Sequence, residues 1–393
     1  EGAIGTIYAD RLTGDTFDNT FQGLAGDDAI TGGAGSDTVS YAEAVNSVAI
    51  NLAVGLQAVN AEVGRDTLNS IENVIGGFGA DTLTGNGGDN IIDGGIYAGP
   101  VSANNTTRDD VINGAGGNDT VSYASALSAV RVTLATQGNN AAQNTWGGGV
   151  DTLISIENLT GSDFNDSLTG TNQANILMGG VGEDTMVGGG GNDLYIVQSG
   201  LDHGVDEVIT ELANGGIDEI RYTQVGLAAT LFENTLTLSS NVTGIERIVI
   251  GTGRVASGNN ATGAITTGLD ALNVDASAIA NAVTIIGNAG ANILTSGLGN
   301  DTLIGGDGDD TYVVNNVGDV ITELDPLALD NAGLPINPAA GVDTVNVNIN
   351  TAGTYVLGAN VDNGTVVSLA NVNLTGNDLD NILIGNAGNN ILN

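Results

Sequence analysis

Carboxylates and carboxamides recur in this chain at intervals of nine residues, each after a glycine-rich run and before a short apolar stretch. From Gly5 the sequence reads GTIYADRLT, GDTFDNTFQ, GLAGDDAIT and GGAGSDTVS, which puts Asp10, Asn19, Asp28 and Asp37 at the sixth position of successive nonapeptides. A second block reads GGFGADTLT, GNGGDNIID, a unit interrupted by IYAGPVSANNTTR, and GAGGNDTVS; its sixth positions are Asp81, Asn90, Asp110 and Asp119. The third, GSDFNDSLT, GTNQANILM, GGVGEDTMV and GGGGNDLYI, gives Asp166, Asn175, Asp184 and Asp193. A fourth is degenerate at Val283 and then supplies Asn292, Asp301 and Asp310, while a fifth, GNDLDNILI and GNAGNNILN, runs to Asn393. Hard oxygens offered at this density, by side chains and by the carbonyls of permissive glycines, suit calcium, which takes roughly six to eight oxygen ligands.

Such donors need a scaffold with the same period. The first six residues of each unit turn and the last three extend, with the eighth position carrying the core: Leu12, Phe21, Ile30 and Val39, then Leu83, Ile92, Ile112 and Val121, then Leu168, Leu177, Met186 and Tyr195. None of these is charged. One short strand per nine residues makes no sheet alone, but two units form a coil, and stacked coils give two parallel sheets across a thin apolar core. The expected fold is therefore an all-β parallel β-roll, or β-solenoid. Loops of alternate units then line one edge, so calcium between units n and n+2 pairs Asp10 with Asp28, Asn19 with Asp37, Asp81 with Asp110, Asn90 with Asp119, Asp166 with Asp184, Asn175 with Asp193, and Asn292 with Asp310. For the asparagines a second role stands beside that one, a turn residue bonding to its own loop.

Composition agrees with a cation-loaded fold. The chain carries 46 Asp+Glu against 7 Lys+Arg, a formal net charge of −39 over 393 residues, yet its hydrophobic fraction is 41%. Self-repulsion of this size is relieved by bound cations. The seven basic residues are single arginines (Arg11, Arg65, Arg108, Arg131, Arg221, Arg247 and Arg254), which form no patch for nucleic acid or anionic lipid. No apolar run approaches the roughly 18 residues of a membrane span, so membrane insertion is not expected. With no cysteine, stability must come from metal or a long continuous core.

The units GGAGSDTVS, GGFGADTLT, GGVGEDTMV and GGDGDDTYV resemble in full the RTX, or haemolysin-type calcium-binding, repeat GGxGxDxUx. That resemblance implies several Ca2+ ions, calcium-triggered folding after export through a type I secretion channel, and a secreted, extracellular or cell-surface location. It also implies a signal near the C-terminus of the whole protein; the last unit, GNAGNNILN, stops where such proteins continue, and the expectation is a fragment of a longer chain.

Segments between the arrays repeat as well. DTVSYAEAVNSVAINLA resembles DTVSYASALSAVRVTLA, RDTLNSIENVIGG resembles VDTLISIENLTGS, and NDLYIVQSGLDHGVDEVITEL resembles DDTYVVNNVGDVITEL. Alternating apolar positions such as Val48, Ile50 and Leu52 make these strand-bearing spacers that extend the roll. The expected segments are 1–75, 76–160, 161–286, 287–375 and 376–393, each opening on an array, with 225–275 the least regular stretch.

Catalysis finds little support. His203, the one histidine, lies in a polar turn with no nucleophile motif beside it, and no GxSxG occurs. Paired carboxylates such as Asp27 with Asp28 fit calcium ligation better than glycoside hydrolysis. Trp146 and Tyr97 are candidates for carbohydrate contact, with packing against the roll edge favoured. Two functions remain: a calcium-rigidified structural module of an adhesin, surface layer or matrix fibre, with copies of itself end to end or a surface glycan as partner, or the export module of a larger secreted enzyme. Repeated spacers over the whole length favour the first.

Overall fold

Each nonapeptide extends for only three residues because glycine-rich turns close in on both sides, and that shortness sets the architecture. In a computed structural model the chain is described over residues 1–57, 60–96, 109–134, 141–199, 208–211, 215–224, 234–252, 266, 268–323 and 341–393. Among these residues there are 35 strands, most of three residues, and no helix. They fall into two compact units, divided after Gly190.

Within the arrays of the first unit, strand n pairs in parallel with strand n+2. One sheet stacks Gly2–Ile4, Thr20–Gln22, Thr38–Ser40, Asn73–Ile75, Ile91–Asp93, Thr120–Ser122, Asn158–Thr160 and Ile176–Met178. The alternate strands, such as Arg11–Thr13, Ala29–Thr31 and Thr67–Asn69, form shorter parallel ladders. Register keeps like positions level: Leu12 lies beside Ile30, and Ile92 beside Val121. Spacer strands continue these ladders, since Ile30 pairs with Leu68, Val39 with Val74, Ile112 with Leu153 and Val121 with Leu159. The middle residue of each strand turns inward: Ile30, Val39, Val74, Leu83, Ile92, Ile112 and Val121 are fully buried. Each such side chain contributes about 1.5–3 kcal/mol of hydrophobic stabilisation.

The second unit repeats this plan. Leu194–Ser199, Glu219–Gln224, Arg247–Ile250, Thr284–Ile286, Thr302–Ile304 and Val320–Thr322 form one parallel sheet, and Thr235–Thr237, Asn273–Asp275, Ile293–Thr295, Thr311–Val314, Thr344–Val347, Asn363–Val366 and Ile382–Ile384 another. The described part of 225–275 supplies ordinary members of these ladders, Leu236 pairing with Val274 and Ile248 with Ile285. Arg221 is fully buried, held by Glu219 at Nε–Oε1 3.0 Å, while Arg247 approaches the other oxygen of Glu219 at 3.6 Å.

Candidate metal centres

The stacking brings sixth-position residues of alternate units together in one repeated contact. A backbone N–H donates to the next carboxylate along the edge: Asp10 to Asp28 Oδ1 at 2.8 Å, Asn19 to Asp37 at 2.8 Å, Asp81 to Asp110 at 2.7 Å, Asn90 to Asp119 at 2.9 Å, Asp166 to Asp184 at 2.7 Å, and Asn292 to Asp310 at 2.7 Å. These are six of the seven expected pairs. Asn175 belongs to the first unit and Asp193 to the second, so each takes its place within its own unit. Asp301 receives the N–H of the degenerate Val283 at 2.8 Å.

The ladder does not stop where an array stops. Asp28 N–H donates to Asp66 Oδ1, Asp110 to Asp151, Asp193 to Asp218, Asp301 to Asp319 and Asp310 to Asp343, at 2.8–3.1 Å. Glutamates do the same work: Asp37 donates to Glu72 Oε2 and Asp119 to Glu157 Oε2, both at 2.9 Å. Sequence reasoning missed these spacer carboxylates. The signal was present, because Asp66, Asp151 and Asp343 each stand two residues before a buried apolar residue (Leu68, Leu153 and Val345), as sixth and eighth positions do.

Loops of two kinds alternate along the edges. In closed loops the position-two N–H donates to the sixth-position side chain of its own loop: Asp15 to Asn19 Oδ1 at 2.9 Å, Gly77 to Asp81 Oδ2 at 2.7 Å, Asn86 to Asn90 Oδ1 at 2.7 Å, Thr171 to Asn175 Oδ1 at 2.6 Å, and Asn288 to Asn292 Oδ1 at 2.9 Å. Ser162 bonds Asp166 likewise. Asparagine completes such a loop through its amide: Asn90 Nδ2 donates to the Glu72 carbonyl at 2.6 Å and Asn292 Nδ2 to the Leu272 carbonyl at 2.7 Å. The loop-closing role of these asparagines is therefore the one the hydrogen bonds display.

Open loops differ in backbone. Positions two and four adopt positive φ, as at Gly33 (121°) and Gly35 (115°), where a Cβ on Gly33 would overlap the carbonyl oxygen of Asp15 in the coil below. Leu24 (69°) with Gly26 and Ala115 (76°) with Gly117 hold the same shape, two of them without glycine's freedom. The loops of Asp184 and Asp310 share it through Gly180 with Gly182 and Gly306 with Gly308. In the loops of Asp28, Asp37, Asp119 and Asp310 the position-two amide no longer reaches the aspartate Oδ2. The Oδ2 atoms of Asp28, Asp37, Asp119 and Asp310 are buried with no hydrogen-bond partner. Each faces the first glycine of its own loop, and a Cβ on Gly23, Gly32, Gly114 or Gly305 would overlap it.

A buried carboxylate oxygen without a donor is costly. Burial, the largest cause, pushes Asp119 and Asp310 up from an ordinary 3.8 to about 7 and raises Asp28 as well. Bare anionic oxygens, a glycine cradle and a neighbouring carboxylate one coil away form a donor set suited to a hard divalent cation. The residues thus fit calcium, and Asp28, Asp37, Asp119 and Asp310 would offer it their bare carboxylate oxygens. The sequence model of the RTX calcium-binding nonapeptide repeat (4 copies) matches residues 4–39, 66–96, 106–125, 160–195, 284–321 and 375–393. These are RTX calcium-binding repeats. A search of curated proteins found no match. RTX repeat proteins are typically secreted, and the RTX arrays here make the chain a calcium-binding module of a secreted protein. Two RTX matches run beyond the arrays to include Asp66 and Asp319, in keeping with the continuous ladder.

In the first unit the spacer carboxylates have protein partners. Tyr41 Oη donates to Asp66 Oδ2 at 2.9 Å and Tyr123 Oη to Asp151 Oδ2 at 3.0 Å, where Thr145 Oγ1 also donates at 2.9 Å. Tyr123→Phe removes one donor from a buried carboxylate. The expected loss is about 1–3 kcal/mol in chemical denaturation of the calcium-saturated chain, with the number of bound calcium ions unchanged.

Of the other residues considered for function, His203 and Tyr97 lie outside the described residues. Trp146 is half-exposed in an antiparallel hairpin, Gln143–Trp146 with Gly149–Ile154, and the Arg131 guanidinium covers its ring at 6.0 Å from the centroid. Among the described residues no helix is long and apolar enough to cross a membrane.

Proposed function

We propose that this chain is a calcium-rigidified structural module of an extracellular or cell-surface protein, such as an adhesin, surface layer or matrix fibre, and that it carries no catalysis of its own. The observation that supports this most is the carboxylate ladder running through the spacers: Asp66, Glu72, Asp151 and Glu157 sit in register with the arrays, so what lies between arrays is more coil of the same kind. A module whose only role was to assist an attached enzyme would need a single short array. Here the repeated element is the whole length of the described chain.

The proposed mechanism is electrostatic. Without cations the stacked carboxylates repel and the open loops hold bare anionic oxygens, so binding energy becomes folding energy. Calcium in the range typical of extracellular sites, on the order of 10⁻⁴ to 10⁻³ M, loads the loops and stiffens the stack. Copies of the chain then associate end to end. Negative-stain electron microscopy tests this. End-to-end assemblies in millimolar calcium, dissolved by chelator, are expected, whereas dispersed single particles at every protein concentration would favour the export module of a secreted enzyme.

A further inference from the structure

Where an array gives way to a spacer, the two units close the step with opposite chemistry. In the first unit a hydroxyl does it, from Tyr41 to Asp66 and from Tyr123 to Asp151. These tyrosines follow Asp28 and Asp110 by the same interval (28 to 41, 110 to 123), and at that interval past Asp310 (310 to 323) the second unit carries Glu323. A donor has been replaced by an acceptor.

The result is a concentration of buried negative charge. Carboxylate oxygens of Asp310, Glu323 and Asp343 lie within 4.8 Å of one another, and all three side chains are buried. Two polar atoms point to something further in the same space. Asp310 Oδ2 and Tyr312 Oη, on side chains 1% and 0% exposed, have no hydrogen-bond partner, and a Cβ on Gly305 would overlap both. Three oxygens mutually within 4.8 Å share a centre at most about 2.8 Å from each, close to the 2.3–2.6 Å of calcium–oxygen bonds. A similar cluster recurs: carboxylate oxygens of Asp193, Glu211 and Asp218 also lie within 4.8 Å of one another, there with Tyr195 Oη donating to Glu211, and Glu211 and Glu323 occupy the same place in the two VITEL segments.

We propose that Asp310, Glu323 and Asp343 form a three-carboxylate calcium site, one step along the stack from the loop pair of Asn292 and Asp310, with Asp193, Glu211 and Asp218 as its second copy. The cation supplies the positive charge that the Tyr41 and Tyr123 hydroxyls make unnecessary in the first unit. The site rests on the RTX loops taking up calcium; Asp310 is shared with an array loop, whereas Glu323 and Asp343 come from the spacer.

Native mass spectrometry of the full chain, with isothermal titration, tests the site through Glu323→Gln, which keeps shape and removes charge, and Glu323→Tyr, which installs the first unit's hydroxyl. Each variant is expected to bind one calcium fewer than the parent, or to bind one at least tenfold more weakly, while the remaining ions are unaffected. Should Glu323→Gln fail to give the parent's strand signal in calcium, the Glu323→Tyr count decides alone. Parent-like counts and affinities in a folded variant would overturn the site and leave the loop sites standing. A parent that bound no calcium would overturn both.

Discussion

In excess chelator, acidification from about pH 8 to pH 5 is expected to restore strand structure that the calcium-free chain lacks at the higher pH. The cause is the burial of carboxylates along the ladder. Burial pushes Asp119, Asp310 and Asp343 from an ordinary 3.8 up to about 7, and Asp66, Asp81 and Asp218 up to about 6. The buried pair Asp110 and Asp151 is raised too, by burial first and, for Asp110, next by repulsion from Asp151. Because the folded chain holds these protons more tightly than the unfolded chain does, their stabilisation is complete below about pH 4 and is lost as pH rises through 6 and 7. Protons and calcium thus neutralise the same oxygens. Calcium affinity should accordingly weaken as pH falls below about 6. Circular dichroism across pH in chelator reads the first effect, and a calcium-free chain that loses strand signal on acidification would contradict it.

The second large effect separates open-loop aspartates from exposed ones. Asp37→Asn and Asp119→Asn each exchange a bare, buried carboxylate oxygen for an amide in the place where the cation is to sit. Loss of one calcium from the bound count, or at least a tenfold loss of affinity for it, is expected, the latter equivalent to about 1.4 kcal/mol. Asp163→Asn, on an exposed side chain three residues before Asp166, should change neither count nor affinity. The comparison is direct in titration calorimetry. Equal losses from all three substitutions would mean that net charge, rather than loop geometry, governs binding.

What could be read from the sequence follows from what had a fixed period. The parallel roll and the proximity of Asp10 to Asp28 or Asn90 to Asp119 come from units of nine, because two units make a coil and like positions then stack. The spacer carboxylates escaped because the interval breaks: 38 residues separate Asp28 from Asp66, against 18 between Asp10 and Asp28, even though the Asp-Thr-Leu frame is kept. Glu72 and Glu157 were further disguised by a longer side chain in the aspartate position. Backbone state was equally hidden, since Leu24 and Ala115 adopt the positive φ of glycine and nothing in their side chains announces it. The meeting of Glu323 with Asp310 and Asp343 depends on how a spacer returns to the stack, which no local pattern encodes.

The dependence of this fold on bound cations is tested most directly by far-ultraviolet circular dichroism during a calcium titration of the chelator-treated chain near pH 8. The open loops, with their buried and partnerless Asp28, Asp37, Asp119 and Asp310 oxygens, predict little strand signal before calcium and a cooperative rise as it is added. A strand signal already complete in excess chelator would contradict the account.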